Sequence, residues 1–135
     1  APEKYLKPLK IVQKKAIRLF CGADYHDHTS PLFKEENILP LAQIIDYNII
    51  KFVLDYKLNR LPDAFSNLWI ENQYRGGYIL RNAEDFYIPH VRCISFFKHP
   101  LYHFPRVWNE LPERLKNVTN RTTFLNDLKD YLFIE

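Results

Sequence analysis

Between Leu6 and Phe20 the apolar residues Leu6, Leu9, Val12, Ala16, Ile17, Leu19 and Phe20 recur at helical intervals and gather on one half of a helical wheel. Lys4, Lys7, Lys10, Lys14, Lys15 and Arg18 fill the other half, with only Ile11 among them. This spacing predicts a basic amphipathic helix within residues 1–22, running from about Pro2 to Phe20 and stopped by Gly22, with its apolar half turned to a core. Pro8 removes a donor and crowds the carbonyl four residues back, so a regular helix can also start at Lys7 or Pro8.

Further along, Thr29-Ser30-Pro31 reads as a helix start, with Ser30 as cap and Pro31 at the first helical position, and the helix closes at Asn37 and Pro40. Leu41, Ile44, Ile45, Asn48, Phe52, Val53 and Tyr56 follow the three-four rhythm of a helix ending near Asn59. Ile49, Ile50 and Leu54 widen its apolar surface, which predicts a central helix covered on more than one side. Pro62 opens a short helix through about Trp69, completing a helical core over 30–70. Residues 71–103 read as a loop or hairpin insertion: Tyr78-Ile79-Leu80 and Phe86-Tyr87-Ile88 are short β-type runs, and Pro89, Pro100 and Pro105 argue against a long strand. The C-terminal helices occupy 104–133, first from Phe104 to Leu111, then a turn from Pro112 to Lys116. A last helix is capped by Thr119 or Asn120, with Phe124, Leu125, Leu128, Tyr131 and Leu132 inward. The fold class expected is mainly α, a compact helical domain over 1–135 with an irregular or β-hairpin insertion around 75–100.

Composition sharpens this picture in three ways. The 47% apolar and 16% aromatic content supplies a core rich in rings, and nine prolines against three glycines make the turns stiff. Charge is local: six cations in the first eighteen residues face one acid, Glu3, for a net +5, although the whole chain carries only +3. No apolar run is long enough to span a bilayer and no secretory signal opens the chain, which leads us to expect an intracellular protein of cytoplasm or nucleus without a membrane partner. A start at Ala-Pro-Glu, with no methionine anywhere, suggests a piece of a longer protein.

Few residues announce chemistry. Cys21 and Cys93 lack redox or zinc spacing and read as buried free thiols; Cys21, His26, Asp27 and His28 lack a zinc-type pattern, so no metal and no cofactor are expected. Cys93, Ser95 and His99 lie close in sequence without a nucleophile motif, and Glu110 and Glu113 form no recognised acid/base pair. The basic face of the first helix reads either as solvated surface, which is what charge runs usually are, or as a phosphate-binding flank, a reading that the segregation of its cations from acids helps without deciding. Arg75, Tyr78, Arg81, His90, Arg92 and Arg106 interleave cations with rings and could clamp phosphates or simply line a proline-pinned loop. Trp108 reads as a core residue.

Several ordered blocks together resemble the region after the polymerase palm in LINE-type (non-LTR) retrotransposon reverse transcriptases. They are Leu9-Lys10-Ile11-Val12-Gln13-Lys14-Lys15-Ala16-Ile17-Arg18, His28-Thr29-Ser30-Pro31-Leu32-Phe33 and Asn37-Ile38-Leu39-Pro40-Leu41, then Leu61-Pro62, Ile88-Pro89, Val91-Arg92 and Trp108-Asn109-Glu110-Leu111-Pro112. The resemblance spans nearly the whole chain; it departs at Leu80, where the family has threonine, and at Phe104, where a glycine is common. It implies a thumb-like C-terminal segment that holds template RNA or an RNA–DNA hybrid without reading sequence, in contact with the remainder of the parent polymerase. Nucleotide addition needs aspartates that bind two metal ions, and this chain has no Asp-Asp pair, so no enzymatic activity is expected of it. The nucleic-acid-binding residues expected are Lys7, Lys10, Lys14, Lys15 and Arg18, with Arg81, Arg92 and Arg106 as lesser contributors.

Overall fold

In the computed structural model, which describes residues 3–74 and 82–134, the chain is mainly α-helical. Among the described residues six α-helices succeed one another: α1 (Glu3–Cys21), α2 (Thr29–Glu35), α3 (Leu41–Lys57), α4 (Pro100–Asn109), α5 (Glu113–Lys116) and α6 (Arg121–Ile134). Single 3-10 turns occur at Asp63–Phe65, Asn72–Tyr74 and Ile94–Lys98. The backbone groups into two compact units, one of residues 1–47 and 126–135, the other of 48–125.

The ends of α1, α2 and α3 share one solution. Gly22, Asn37 and Asn59 each adopt a left-handed backbone, with φ of 64°, 54° and 53°. In each case the next amide reaches five residues back: Ala23 to the Arg18 carbonyl, Ile38 to Phe33 and Arg60 to Asp55, all at 2.9 Å. These bonds satisfy carbonyls that a helix end leaves open, and glycine and asparagine are the residues that tolerate the conformation. Helix starts follow the pattern less closely. His28, not Ser30, is the N-cap of α2, and no hydroxyl bonds its free amides; Thr29 is buried instead at the first helical position. At α6, Asn120 Oδ1 accepts from the Thr122 and Thr123 amides at 2.9 and 3.2 Å.

In the first unit, Pro8 is accommodated inside α1, which runs unbroken from Glu3. Gln13 of α1 fixes the entry to α3: its Nε2 donates to the Leu39 carbonyl at 3.1 Å while Oε1 accepts from the Leu41 amide at 2.8 Å. Ile17, Phe33, Leu39, Leu128 and Leu132 are buried.

The second unit is built on rings. Ile49, Ile50, Val53, Leu54, Trp69, Phe86, Pro105, Trp108, Leu111, Leu115 and Phe124 are buried, and Trp108 stacks on Phe124 at 5.6 Å between centroids. The helix expected from Pro62 to Trp69 shrinks to the Asp63–Phe65 turn. The Tyr56 hydroxyl donates to the Trp69 carbonyl at 2.9 Å and accepts from the Trp69 amide, pinning the chain in an open course there. Of the two β-type runs, Tyr78-Ile79-Leu80 lies outside the described residues. Phe86 forms one isolated antiparallel bridge with Glu71, and no strand develops among the described residues. The helix expected from Phe104 starts four residues earlier, because His99 caps it and Pro100 takes the first helical position.

Candidate nucleic-acid interface

At about 100° per residue, α1 presents three faces rather than two. Leu6, Lys10, Gln13, Ile17 and Cys21 form the face that packs; of these Ile17 is only 4% exposed and the others are half-buried. Tyr5, Leu9, Val12, Ala16, Leu19 and Phe20 form a second face that is open to solvent, Leu19 at 83% and Phe20 at 72%. The apolar half expected to enter a core is thus mostly outside it. Packing centres near the seam between Ile17 and Lys10, and Gln13, a polar residue inside the apolar half, is committed to the α3 entry.

The third face carries the cations, roughly 110–140° from each of the others. Lys7, Lys14 and Lys15 are exposed and have no acid within 4.0 Å among the described residues. Lys4 belongs beside them, exposed with its ammonium 4.8 Å from the Tyr5 ring centre, although the sequence reading left it out of the binding set. Its wheel position, next to Lys15, was the available signal. Lys10 and Arg18 are half-buried and already engaged. Lys10 Nζ pairs with Glu3 at 2.7 Å, and Arg18 Nε donates to the Asp27 carbonyl at 3.0 Å with its guanidinium 5.8 Å from the Tyr25 ring centre.

The remaining candidates are not on α1. Arg81 lies outside the described residues. Arg92 and Arg106 belong to the second unit; Arg92 is exposed without an acidic partner among the described residues, whereas Arg106 Nε meets Glu110 Oε1 at 3.3 Å one helical turn on. That unit also holds a cavity of about 350 Å³ beside Lys57, Asp85, Trp108 and Lys116. Its lysines are already spent internally, Lys57 on the Glu84 carbonyl at 2.9 Å and Lys116 on Asp85 and the Asn109 carbonyl at 2.8 and 2.9 Å.

The cysteines are free but not buried: Cys21 is half-covered and Cys93 exposed. Desolvation, with Glu36 and Glu35 nearby, raises the Cys21 thiol pKa. Hydrogen bonding to Ser95, whose Oγ lies 2.9 Å from Sγ, lowers that of Cys93. The Cys21–His28 segment is used structurally, with Asp27 Oδ2 accepting from the Asp24 amide at 2.9 Å and His28 capping α2. Among the described residues no three His, Cys, Asp or Glu side chains converge as a metal site, and no helix is long and apolar enough to cross a membrane. Comparison with models of known families, with curated proteins and with solved structures finds no match.

Proposed function

We propose that this chain is a non-catalytic, nucleic-acid-holding domain that grips the phosphates of RNA or an RNA–DNA hybrid along the cationic face of α1, as the resemblance to the post-palm region of LINE-type reverse transcriptases implies. The observation that carries this reading is the placement of Lys7, Lys14 and Lys15: exposed, unpaired with acids among the described residues, and on a face that does not pack. Each lysine that neutralises a phosphate releases a counterion, so affinity falls with salt and sequence goes unread. Lys10 and Arg18 act mainly as structural ties, with Arg92 as a separate, weaker contact. The setting is intracellular, in cytoplasm or nucleus.

The test is fluorescence anisotropy of labelled single-stranded RNA and of an RNA–DNA hybrid at two salt concentrations. Binding should weaken with salt, and combined Lys7→Ala, Lys14→Ala and Lys15→Ala should flatten the logarithmic salt slope for single strands by about 2. Failure of both ligands to bind at low salt defeats the reading.

The exposed apolar face favours a second role, as a protein-interaction module seated on the remainder of a parent polymerase. Six apolar side chains along a little over four turns of helix are a docking stripe of the kind that lies in an apolar groove. Loss of association with that polymerase body on changing Leu9, Leu19 and Phe20 to Gln, with RNA binding retained, distinguishes this role from the first.

A further inference from the structure

From Phe86 to Asn109 the chain contains no aspartate or glutamate, yet it carries Arg92, Lys98 and Arg106, three histidines and seven Phe, Tyr or Trp rings. Phe86 and Trp108 are buried and Phe104 packs on Phe52 and Trp69, but the Ile94–Lys98 turn carries others of the set at the surface. Ile94 is 82% exposed and Phe97 36%, and Arg92, Lys98 and His99, their neighbours along the chain, are exposed as well. Neither Arg92 nor Lys98 has an acid within 4.0 Å among the described residues.

The rings here are held, not loose. Phe96 and His99 stack face to face, 5.0 Å between centroids and 4° from parallel. His99 Nδ1 accepts from the Leu101 amide at 3.3 Å, which caps α4 and leaves the proton of the neutral ring on Nε2. Phe97 meets Tyr102 edge-on at 5.0 Å and 66°, so its orientation is fixed as well. Phe96 thus takes one face of His99 and the cap takes one edge, and no other ring among the described residues meets it.

We propose that Phe97 and His99, flanked by Arg92 and Lys98, form a base-stacking platform for single-stranded nucleic acid. An unpaired base offers a free π-face to such rings while its phosphates meet the neighbouring cations; in a duplex that face is already covered. A pre-oriented ring loses little entropy when a base settles on it. Exposed, unpaired lysine beside the rings speaks for a polyanion over a protein partner, since protein interfaces are poor in lysine. The platform uses none of the α1 residues, so it and the phosphate-gripping reading fail separately.

The test compares full-length protein binding to an A20 RNA and to a 20-unit abasic strand of equal charge, by anisotropy at low salt. The A20 strand should bind about tenfold tighter. His99→Asn, which keeps an acceptor for the helix cap, and Phe97→Leu, which keeps an apolar side chain, should each erase most of that difference and leave abasic binding unchanged. The lysine-to-alanine changes on α1 should weaken both strands alike. Equal binding of A20 and the abasic strand by the wild-type chain overturns the platform whatever happens on α1. So does a base-dependent difference that survives both variants when circular dichroism shows them folded. Self-association abolished by Phe97→Leu, with no base-dependent difference, makes the patch a protein contact and also overturns it.

Discussion

Arg121 holds Asp55 with two hydrogen bonds, Nε to Oδ1 at 2.7 Å and Nη2 to Oδ2 at 3.1 Å, tying the start of α6 to the last turns of α3. Both side chains are mostly covered, and the pair is two-pronged, the geometry in which an ion pair is strongest. The hydrogen bond from Arg121, then the charges of Arg121, Arg60 and Lys51, hold the Asp55 carboxyl below its ordinary range against an opposing desolvation.

A carboxyl depressed on folding stabilises the protein above its unfolded value, near pH 4, and that contribution is lost as pH falls through the lower folded value. Asp55→Asn should therefore cost about 1–3 kcal/mol at pH 7. The gap between wild type and variant should close on acidification below about pH 4. Urea unfolding at pH 7, 5 and 3 measures it, and a gap independent of pH would deny the ionised pair its role.

Asn109 does the work of a missing strand. Its Oδ1 accepts from the Phe86 amide at 3.0 Å and its Nδ2 donates to the Phe86 carbonyl at 2.8 Å, satisfying both backbone groups of a residue whose ring is buried. Asn109→Leu strips both partners, and two unsatisfied groups at about 1–3 kcal/mol each predict a loss of roughly 2–6 kcal/mol. Asn109→Asp keeps only the acceptor and should also destabilise. Thermal unfolding by circular dichroism checks both, and an unperturbed melting temperature would mean that water replaces the amide.

How much of this was legible depends on the range of the interaction. Helix ends were readable because Gly22, Asn37 and the Asn59 region act within five residues of the carbonyls they satisfy. The helical rhythm of α3 and α6 was readable because periodicity is local. The cap at Ser30 was misread because Thr29 is drawn inward and shifts the helix start by two residues. The orientation of α1 was not legible at all. Gln13 reads only as a polar interruption of the apolar half until Leu39 and Leu41, 26 and 28 residues later, return to it. On the cationic face, Lys7, Lys14 and Lys15 could be chosen from their wheel positions. The tie between Lys10 and Glu3 spans two turns, and Arg18 is held by a backbone carbonyl that carries no side-chain signature.

The two cysteines should part company chemically. Thiolate is the reactive form, and Cys93 is exposed with its pKa lowered by Ser95, whereas Cys21 is half-covered with its pKa raised. With iodoacetamide near pH 7.5, Cys93 should be alkylated about tenfold faster or more. Ser95→Ala should slow Cys93 and leave Cys21 unchanged. Peptide mass spectrometry over a time course gives both rates, and equal rates in the native protein would contradict the environments described.

The orientation of α1 makes a sharper demand on stability, because the amphipathic pattern and the observed packing rank the same side chains in opposite order. A helix turned with its apolar half inward would lose most from polar substitution at Leu19 or Phe20. Packed on its seam, it loses most at Ile17, which is buried, and at Gln13, whose amide serves two backbone groups. Ile17→Ala should thus cost about 2–4 kcal/mol through the lost burial and the cavity left behind. Gln13→Ala, which leaves the Leu39 carbonyl and the Leu41 amide without side-chain partners, should cost about 1–3 kcal/mol. Val12→Gln, Leu19→Gln and Phe20→Gln should each stay within about 0.5 kcal/mol of wild type, since those side chains already face solvent. Denaturant titration of the five variants settles the ranking, and a loss at Leu19 or Phe20 equal to that at Ile17 would turn the helix over.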